Sequence, residues 1–273
     1  MKRKICKEIL FQTKVLMGKR EFLIEFCIVL FYVLLTYFYN VKTTMGSDIG
    51  DLFAPYEYDA LSSWSQYQWY YNLFFPFVVM IGSGFAYFQD MNSGMINIYQ
   101  SKMGKKRYFI IKSVAIFLAG FLCFVIPFGI GLLLDFITFP NTLGYVNQAA
   151  VYSLEYLNFG EGLTGSDFYF SHPWIYHIGM IIQVGSIAGI VSLFVSVFAF
   201  FEIKYRILFF LPFYVICYIC SMVEQFVGGI PLKMDYYIMS EVGQTKRILF
   251  YWVLLGFILL FFSYKVICKK GKI

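Results

Sequence analysis

Residues 109–136 read FIIKSVAIFLAGFLCFVIPFGIGLLLDF and contain only two charged side chains, Lys112 and Asp135. About 20 apolar residues in a helix cross a bilayer core that is ~30 Å thick. In lipid the backbone must satisfy its own hydrogen bonds, and this run does not alternate between apolar and polar residues as a barrel strand would. The run therefore predicts a transmembrane helix, and Pro127 within it predicts a kink.

Five further runs have the same apolar character and are each long enough to span a bilayer, and they occupy residues 22–39, 71–88, 174–201, 207–223 and 248–267. Each is expected to be helical for the same reason. The sequence therefore predicts an all-α polytopic membrane protein with six transmembrane helices.

The composition excludes several other classes of protein. Among 273 residues, 60% are hydrophobic and 14% are charged, and the mean hydropathy is +0.68. A soluble domain has about 25% charged residues, so this chain has too little polar surface for a water-soluble globule. Disorder, a nucleic-acid-binding surface and a disulfide-stapled secreted module are excluded on the same grounds.

Basic residues predict the orientation, because cytoplasmic loops of membrane proteins are enriched in Lys and Arg. All but four of the 22 Lys and Arg residues fall on the side of the predicted spans that carries both termini, and the exceptions are Lys42, Lys233, Lys246 and Arg247. We therefore expect a multi-pass protein of the cell membrane with its N- and C-termini in the cytoplasm.

The first 20 residues have an amphipathic pattern. Apolar and basic side chains fall on opposite faces of a helix, with Ile5, Ile9 and Leu16 on one face and Lys7, Lys14 and Arg20 on the other. The pattern predicts a helix on the cytoplasmic membrane surface at residues 1–20, followed by a six-span domain at residues 21–273. A solvated basic leader is the alternative.

Motifs for nucleotide and metal chemistry are absent from the sequence. It contains neither G-x-x-x-x-G-K-[ST] nor H-E-x-x-H, so we expect no P-loop and no zinc protease site. The only two histidines, His172 and His177, are five residues apart and lack a third ligand, so they make a poor zinc site. We therefore predict that the chain binds no metal and no cofactor and is not an enzyme.

Small residues and sparse charges mark positions inside the predicted spans. Gly185 and Gly189 are four residues apart, and this spacing predicts close helix packing. The sequence at 82–84, Gly-Ser-Gly, predicts a small-residue packing patch. Ionisable residues within spans are functional candidates, and here they are Glu25, Asp135 and Glu224, each near enough to a span end to reach the interface.

The connection between the second and third runs reads DMNSGMINIYQSKMGKKRYFIIK at residues 90–112. We predict a short helix that begins at Asp90, where a carboxylate complements the helix dipole. Ile96 and Tyr99 fall on one face of this helix, and Met95 and Ile98 extend that face. A short helix with an apolar face in the cytoplasm is typical of a docking element for another protein.

This connection resembles the corresponding loop of ABC-2 type transporter permeases, in which an acidic residue and a Gly-Thr pair begin a coupling helix and Arg and Lys recur just before the third span; here Met95 stands where Thr is common. The short turn at 202–206 and the Gly- and Pro-containing segment at 224–247 agree with that layout. The resemblance implies an ATPase-coupling site formed by Asp90, Ser93, Gly94, Met95, Ile96, Ile98, Tyr99, Arg107 and Lys112. It also implies a separate ATPase subunit that binds ATP, and a second permease copy or paralogue.

Two other classes of function compete with this interpretation. A membrane-embedded enzyme would need His, Asp or Glu side chains that converge in one cavity, such as Asp135 with His172 and His177. A stand-alone receptor or immunity protein would act without an ATPase. The sequence predicts neither the cargo nor a role for the outer loops at 40–70 and 137–173.

Overall fold

The computed structural model of the chain describes residues 2–48, 52, 55–62, 65–140, 172–201, 205–209, 211–227, 233–238 and 246–270. All regular secondary structure longer than a single bridge in these ranges is helical, so the all-α fold class is confirmed there. The helices are α1 (Lys2–Met17), α2 (Arg20–Thr44), α3 (Gln68–Ile81), α4 (Ala86–Asn92), α5 (Met95–Met103), α6 (Lys105–Thr138), α7 (Pro173–Val197), α8 (Leu211–Val227), α9 (Asp235–Ile238) and α10 (Lys246–Lys270).

Four helical segments of the described residues are long and apolar enough to cross a membrane, and they are Arg20–Thr44, Gln68–Asn92, Lys105–Thr138 and Trp174–Phe200. These segments coincide with the first four predicted runs. The fifth run coincides with α8, which has 17 residues, and the sixth with α10, which has 25. Most of the predicted outer segments at 137–173 and 224–247, and part of the turn at 202–206, lie outside the described residues.

The second predicted run is not one continuous helix. The helix α3 ends at Ile81, a 3-10 turn covers Ser83–Phe85, and α4 begins at Ala86. Gly82 has φ −92° and ψ −80°, far from the helical ψ of about −42°. By contrast, α6 continues through Pro127 and has 34 residues, which corresponds to a length of about 50 Å.

The core lies mainly between α6 and α7. Glycines on α7 allow this contact: a Cβ atom on Gly189 would lie 2.7 Å from the carbonyl oxygen of Phe117, and one on Gly185 would overlap Val125 and lie 3.1 Å from the Phe121 carbonyl oxygen. The side chains that cover the outside of the bundle are apolar, as expected for a surface in contact with lipid, and they include Phe31, Leu133 and Phe257.

The N-terminal helix α1 packs against α6 and α2. The face that contains Leu16 is buried together with Gln12 and Thr13, so protein rather than lipid covers it. The exposed face carries Leu10 and Phe11 beside basic residues. A helix therefore lies within the predicted 1–20 segment, and the side of it that carries Leu16 is oriented toward the bundle.

Candidate functional site

The short helix α5 is bounded by two glycines whose backbones favour glycine. Gly94 has φ 69° and ψ 0°, and Gly104 has φ 82° and ψ 149°. Side chains at these angles cost about 1–3 kcal/mol. The two glycines therefore set sharp turns on both sides of α5, which explains why this nine-residue helix forms a separate element between α4 and α6.

The two sides of α5 have different surroundings. Ile96 and Tyr99 pack inward against the core, and the Tyr99 ring stacks on Tyr108 of α6 with 5.9 Å between ring centroids. Met95 and Ile98 point outward and are 38% and 48% exposed. The sequence placed all four on one apolar face, and in the structure this face is divided into an anchoring side and an exposed side.

The sequence predicted that the short helix begins at Asp90, and this prediction is wrong. Asp90 lies in the last turn of α4, and α5 begins five residues later at Met95. Ser93 joins the two helices: its Oγ donates a hydrogen bond to the carbonyl oxygen of Gln89 at 2.8 Å. The carboxylate of Asp90 is only 5% exposed, so it faces the protein interior rather than the dipole of α5.

Three side chains, two from α6 and one from the linker between α1 and α2, surround the Asp90 carboxylate. Lys112 places Nζ 2.6 Å from Oδ2, and the Tyr108 hydroxyl donates to the same oxygen at 2.7 Å. Lys19, between α1 and α2, approaches Oδ1 at 3.7 Å and donates to the Gln89 amide oxygen at 2.7 Å. This one buried carboxylate joins α4, α6 and the start of α2. The end of α4 that leads into α5 is therefore fixed to the bundle.

A second ion pair holds α1 near the same end of the bundle. Arg107 donates from Nε to Oε2 of Glu8 at 3.0 Å, and its Nη2 lies 2.7 Å from the same oxygen. These side chains are 34% and 22% exposed, so solvent weakens the attraction between them. The pair places α1 beside the turn that leads from α5 into α6.

The structure brings together most of the residues that the sequence singled out for this site. Asp90 contacts Lys112 directly. The helix α5 contains Met95 and Ile98, Gly94 immediately precedes it, and Arg107 follows it at the start of α6. Sequence reasoning missed Lys19, Tyr108 and Glu8 as partners. Lys19 is 71 positions from Asp90, and nothing in a single sequence pairs residues at that separation, although a buried carboxylate does require cationic partners.

The two histidines have different surroundings. His172 is exposed at the start of α7, whereas His177 is buried and its Nδ1 lies 3.2 Å from Oδ2 of Asp59. Asp135 is buried near the end of α6. Within the described residues, no group of three His, Cys, Asp or Glu side chains is placed to hold a metal ion.

Comparisons of the chain with protein-family models, with curated proteins and with solved structures find no match. The described residues form a helical bundle with four segments long and apolar enough to cross a membrane, and the short helix α5 is anchored at one end of that bundle. Two apolar side chains of this helix, Met95 and Ile98, are exposed.

Proposed function

We propose that this chain is the membrane-spanning permease subunit of an ABC-2 type transporter, with α5 as the helix that a separate ATPase subunit contacts. The observation that carries the proposal is the anchored helix α5, which presents Met95 and Ile98 outward and is fixed at its base by Asp90 and Lys112. A docking element that must transmit force needs both an exposed apolar surface and a stiff connection to the spans.

The proposal includes a six-span topology with both termini in the cytoplasm. The fifth and sixth spans would be α8 and α10, and α10 is long enough at 25 residues to cross a bilayer. In this topology α1, α5 and the basic residues of the 102–107 segment would all face the cytoplasm, in keeping with the distribution of Lys and Arg. ATP would bind the partner subunit, and a second permease copy or paralogue would complete the transporter.

The mechanical argument follows from the contacts of α5. When the ATPase subunits close on ATP, they would push on the exposed side of α5. The stacked rings of Tyr99 and Tyr108 and the Asp90–Lys112 pair would pass that displacement to α6 and α4. A flexible loop would absorb the same push, so the anchoring contacts support a transmitting role.

The proposal is tested by purifying the tagged chain from its native membranes and measuring MgATP hydrolysis in the purified material. We expect a subunit with a P-loop, identified by mass spectrometry, to copurify and to account for the hydrolysis. The double variant Met95→Ser/Ile98→Ser should lose at least about tenfold of the bound ATPase, because buried apolar side chains contribute ~1.5–3 kcal/mol each.

A matched control makes the same chemical change elsewhere. Ile137 is 78% exposed near the end of α6 opposite α5, and Ile137→Ser should leave ATPase binding unchanged. If the wild-type chain purifies without any P-loop protein and without ATP hydrolysis, the permease proposal is wrong. Equal retention of the ATPase by both variants would place the contact away from α5.

A further inference from the structure

The break in the second spanning segment exposes backbone groups inside the bundle. Between Ile81 and Ala86 the α-helical hydrogen-bond pattern is interrupted, and the Ser83 N–H lies in this gap. Unpaired backbone groups are costly in a membrane, and broken helices persist there only where protein supplies partners. The gap therefore needs a partner from a neighbouring helix.

Glu25 of α2 supplies that partner. Its Oε2 accepts a hydrogen bond from the Ser83 N–H at 3.1 Å, and the Glu25 side chain is fully buried. Gly82 makes room for it, because a Cβ atom at position 82 would overlap Oε2 of Glu25. The sequence suggested that Glu25 reaches the membrane interface, but in the structure its carboxylate is directed into the break instead.

The break also has contacts on its other side. The Ser83 hydroxyl donates to Ser192 Oγ of α7 at 2.7 Å, and Ser192 Oγ donates to the Ala188 carbonyl oxygen. Gly120 of α6 leaves space for these hydroxyls, since a Cβ atom there would overlap Ser192 Oγ and lie 3.1 Å from Ser83 Oγ. A single turn of backbone is thus held by polar contacts from α2 and α7.

Polar contacts from α2 and from the residue just before it lie near the two ends of α4. Near its start, Glu25 binds Ser83, and near its end, Lys19 binds Gln89 and Asp90. Six residues separate Lys19 from Glu25, which is about 9 Å along a helix, and α4 has seven residues. The spacing of these two contacts is therefore close to the length of α4. The same helix is joined to α6, where the Phe109 carbonyl oxygen accepts a hydrogen bond from the Tyr87 hydroxyl at 3.0 Å.

We propose that the Ile81–Ala86 break is a hinge in the second spanning segment and that the Glu25 carboxylate is the latch that closes it. On this view α4 and α5 move with the start of α6, to which Tyr87 and Asp90 join α4, and the angle between α3 and α4 changes when the Glu25–Ser83 hydrogen bond opens. The latch rests on the geometry alone. The use of the hinge to carry motion from α5 into the membrane rests on the proposed function.

The latch is tested by hydrogen–deuterium exchange on the full chain in lipid nanodiscs without any ATPase. Glu25→Met keeps the size of the side chain and removes the acceptor, so amide exchange in residues 82–86 should rise at least about tenfold. Glu25→Gln keeps an oxygen that can accept the Ser83 N–H, so it should exchange within about threefold of the wild-type chain. Glu21→Met, one turn earlier on α2, is the control and should not change this segment.

A second variant changes the segment that Glu25 contacts instead of Glu25 itself. Gly82→Ala displaces the Glu25 carboxylate and should raise exchange in the same segment, and the combination with Glu25→Met should add little to either change. The inference is overturned if exchange at 82–86 is unchanged in both variants, if Glu25→Gln opens the segment as much as Glu25→Met, or if exchange rises equally along α3 and α4. Because no ATPase is present, none of these outcomes depends on the permease proposal.

Discussion

Lys112 and Asp90 form a buried ion pair, with Nζ of Lys112 2.6 Å from Oδ2 of Asp90 and side-chain exposures of 1% and 6%. The pair connects the first turns of α6 to the last turn of α4, next to the turn that leads into α5. Removing one member of a buried pair leaves the other charge without compensation, whereas removing both avoids that cost.

The Asp90–Lys112 pair leads to the first prediction. Asp90→Asn and Lys112→Met should each lower the free energy of unfolding in detergent by about 3–5 kcal/mol, because each leaves one unpaired buried charge. The double variant should lose less than the sum of the two losses. Lys106→Met, an exposed lysine on the same helix, is the control and should change stability by less than about 0.5 kcal/mol. Additive losses in the double variant would contradict a direct interaction.

The second prediction concerns the two turns that frame α5. Gly94→Ala and Gly104→Ala should each destabilise the protein by about 1–3 kcal/mol, because their φ values of 69° and 82° strain any side chain. Space is not the cause, since no atom lies within 4 Å of a Cβ at either position. Gly179→Ala is the matched control: it is helical with equally open surroundings, and should be neutral or slightly stabilising in the same thermal unfolding measurement.

Close packing between α6 and α7 gives the third prediction. Gly189→Ala places a Cβ 2.7 Å from the backbone carbonyl oxygen of Phe117, which has little freedom to move. We expect a loss of about 1–3 kcal/mol in unfolding free energy, and a larger loss for Gly189→Val. Gly129→Ala on α6, where a Cβ meets no atom within 4 Å, should be tolerated. A neutral Gly189→Ala would mean that α6 and α7 are farther apart than described.

The fourth prediction tests the orientation of the chain. Cys6 and Cys268 are exposed near the two termini, and with cytoplasmic termini they should react with a membrane-impermeant maleimide only after the cells are permeabilised. Ile137→Cys, near the far end of α6, should react in intact cells. Mass spectrometry of the labelled peptides distinguishes the three positions. Labelling of Cys6 or Cys268 in intact cells would reverse the proposed topology.

The helices themselves could be predicted because their cause is local. In lipid each segment must pair its own N–H and carbonyl groups, so an apolar run such as 109–136 specifies a helix wherever it lies in the fold. The start of α5 was predicted wrongly at Asp90, because the left-handed backbone of Gly94 ends α4 and separates it from a helix that begins at Met95. The division of its apolar face was not predictable, because Ile96 and Ile98 have the same side chain and only packing against the rest of the fold decides which one is covered.

The amino-acid sequence alone determined that the chain forms long apolar helices suited to a membrane, and where they lie. Hydrophobicity and backbone hydrogen bonding act within each segment, so no tertiary contact is needed for this. Only the tertiary structure decided which charges meet and where the second span breaks. Asp90 finds Lys112 and Lys19 across helices, and the Ser83 N–H is satisfied by Glu25, 58 residues earlier. Such pairings depend on how the helices pack together, and no pattern of neighbouring residues records that packing.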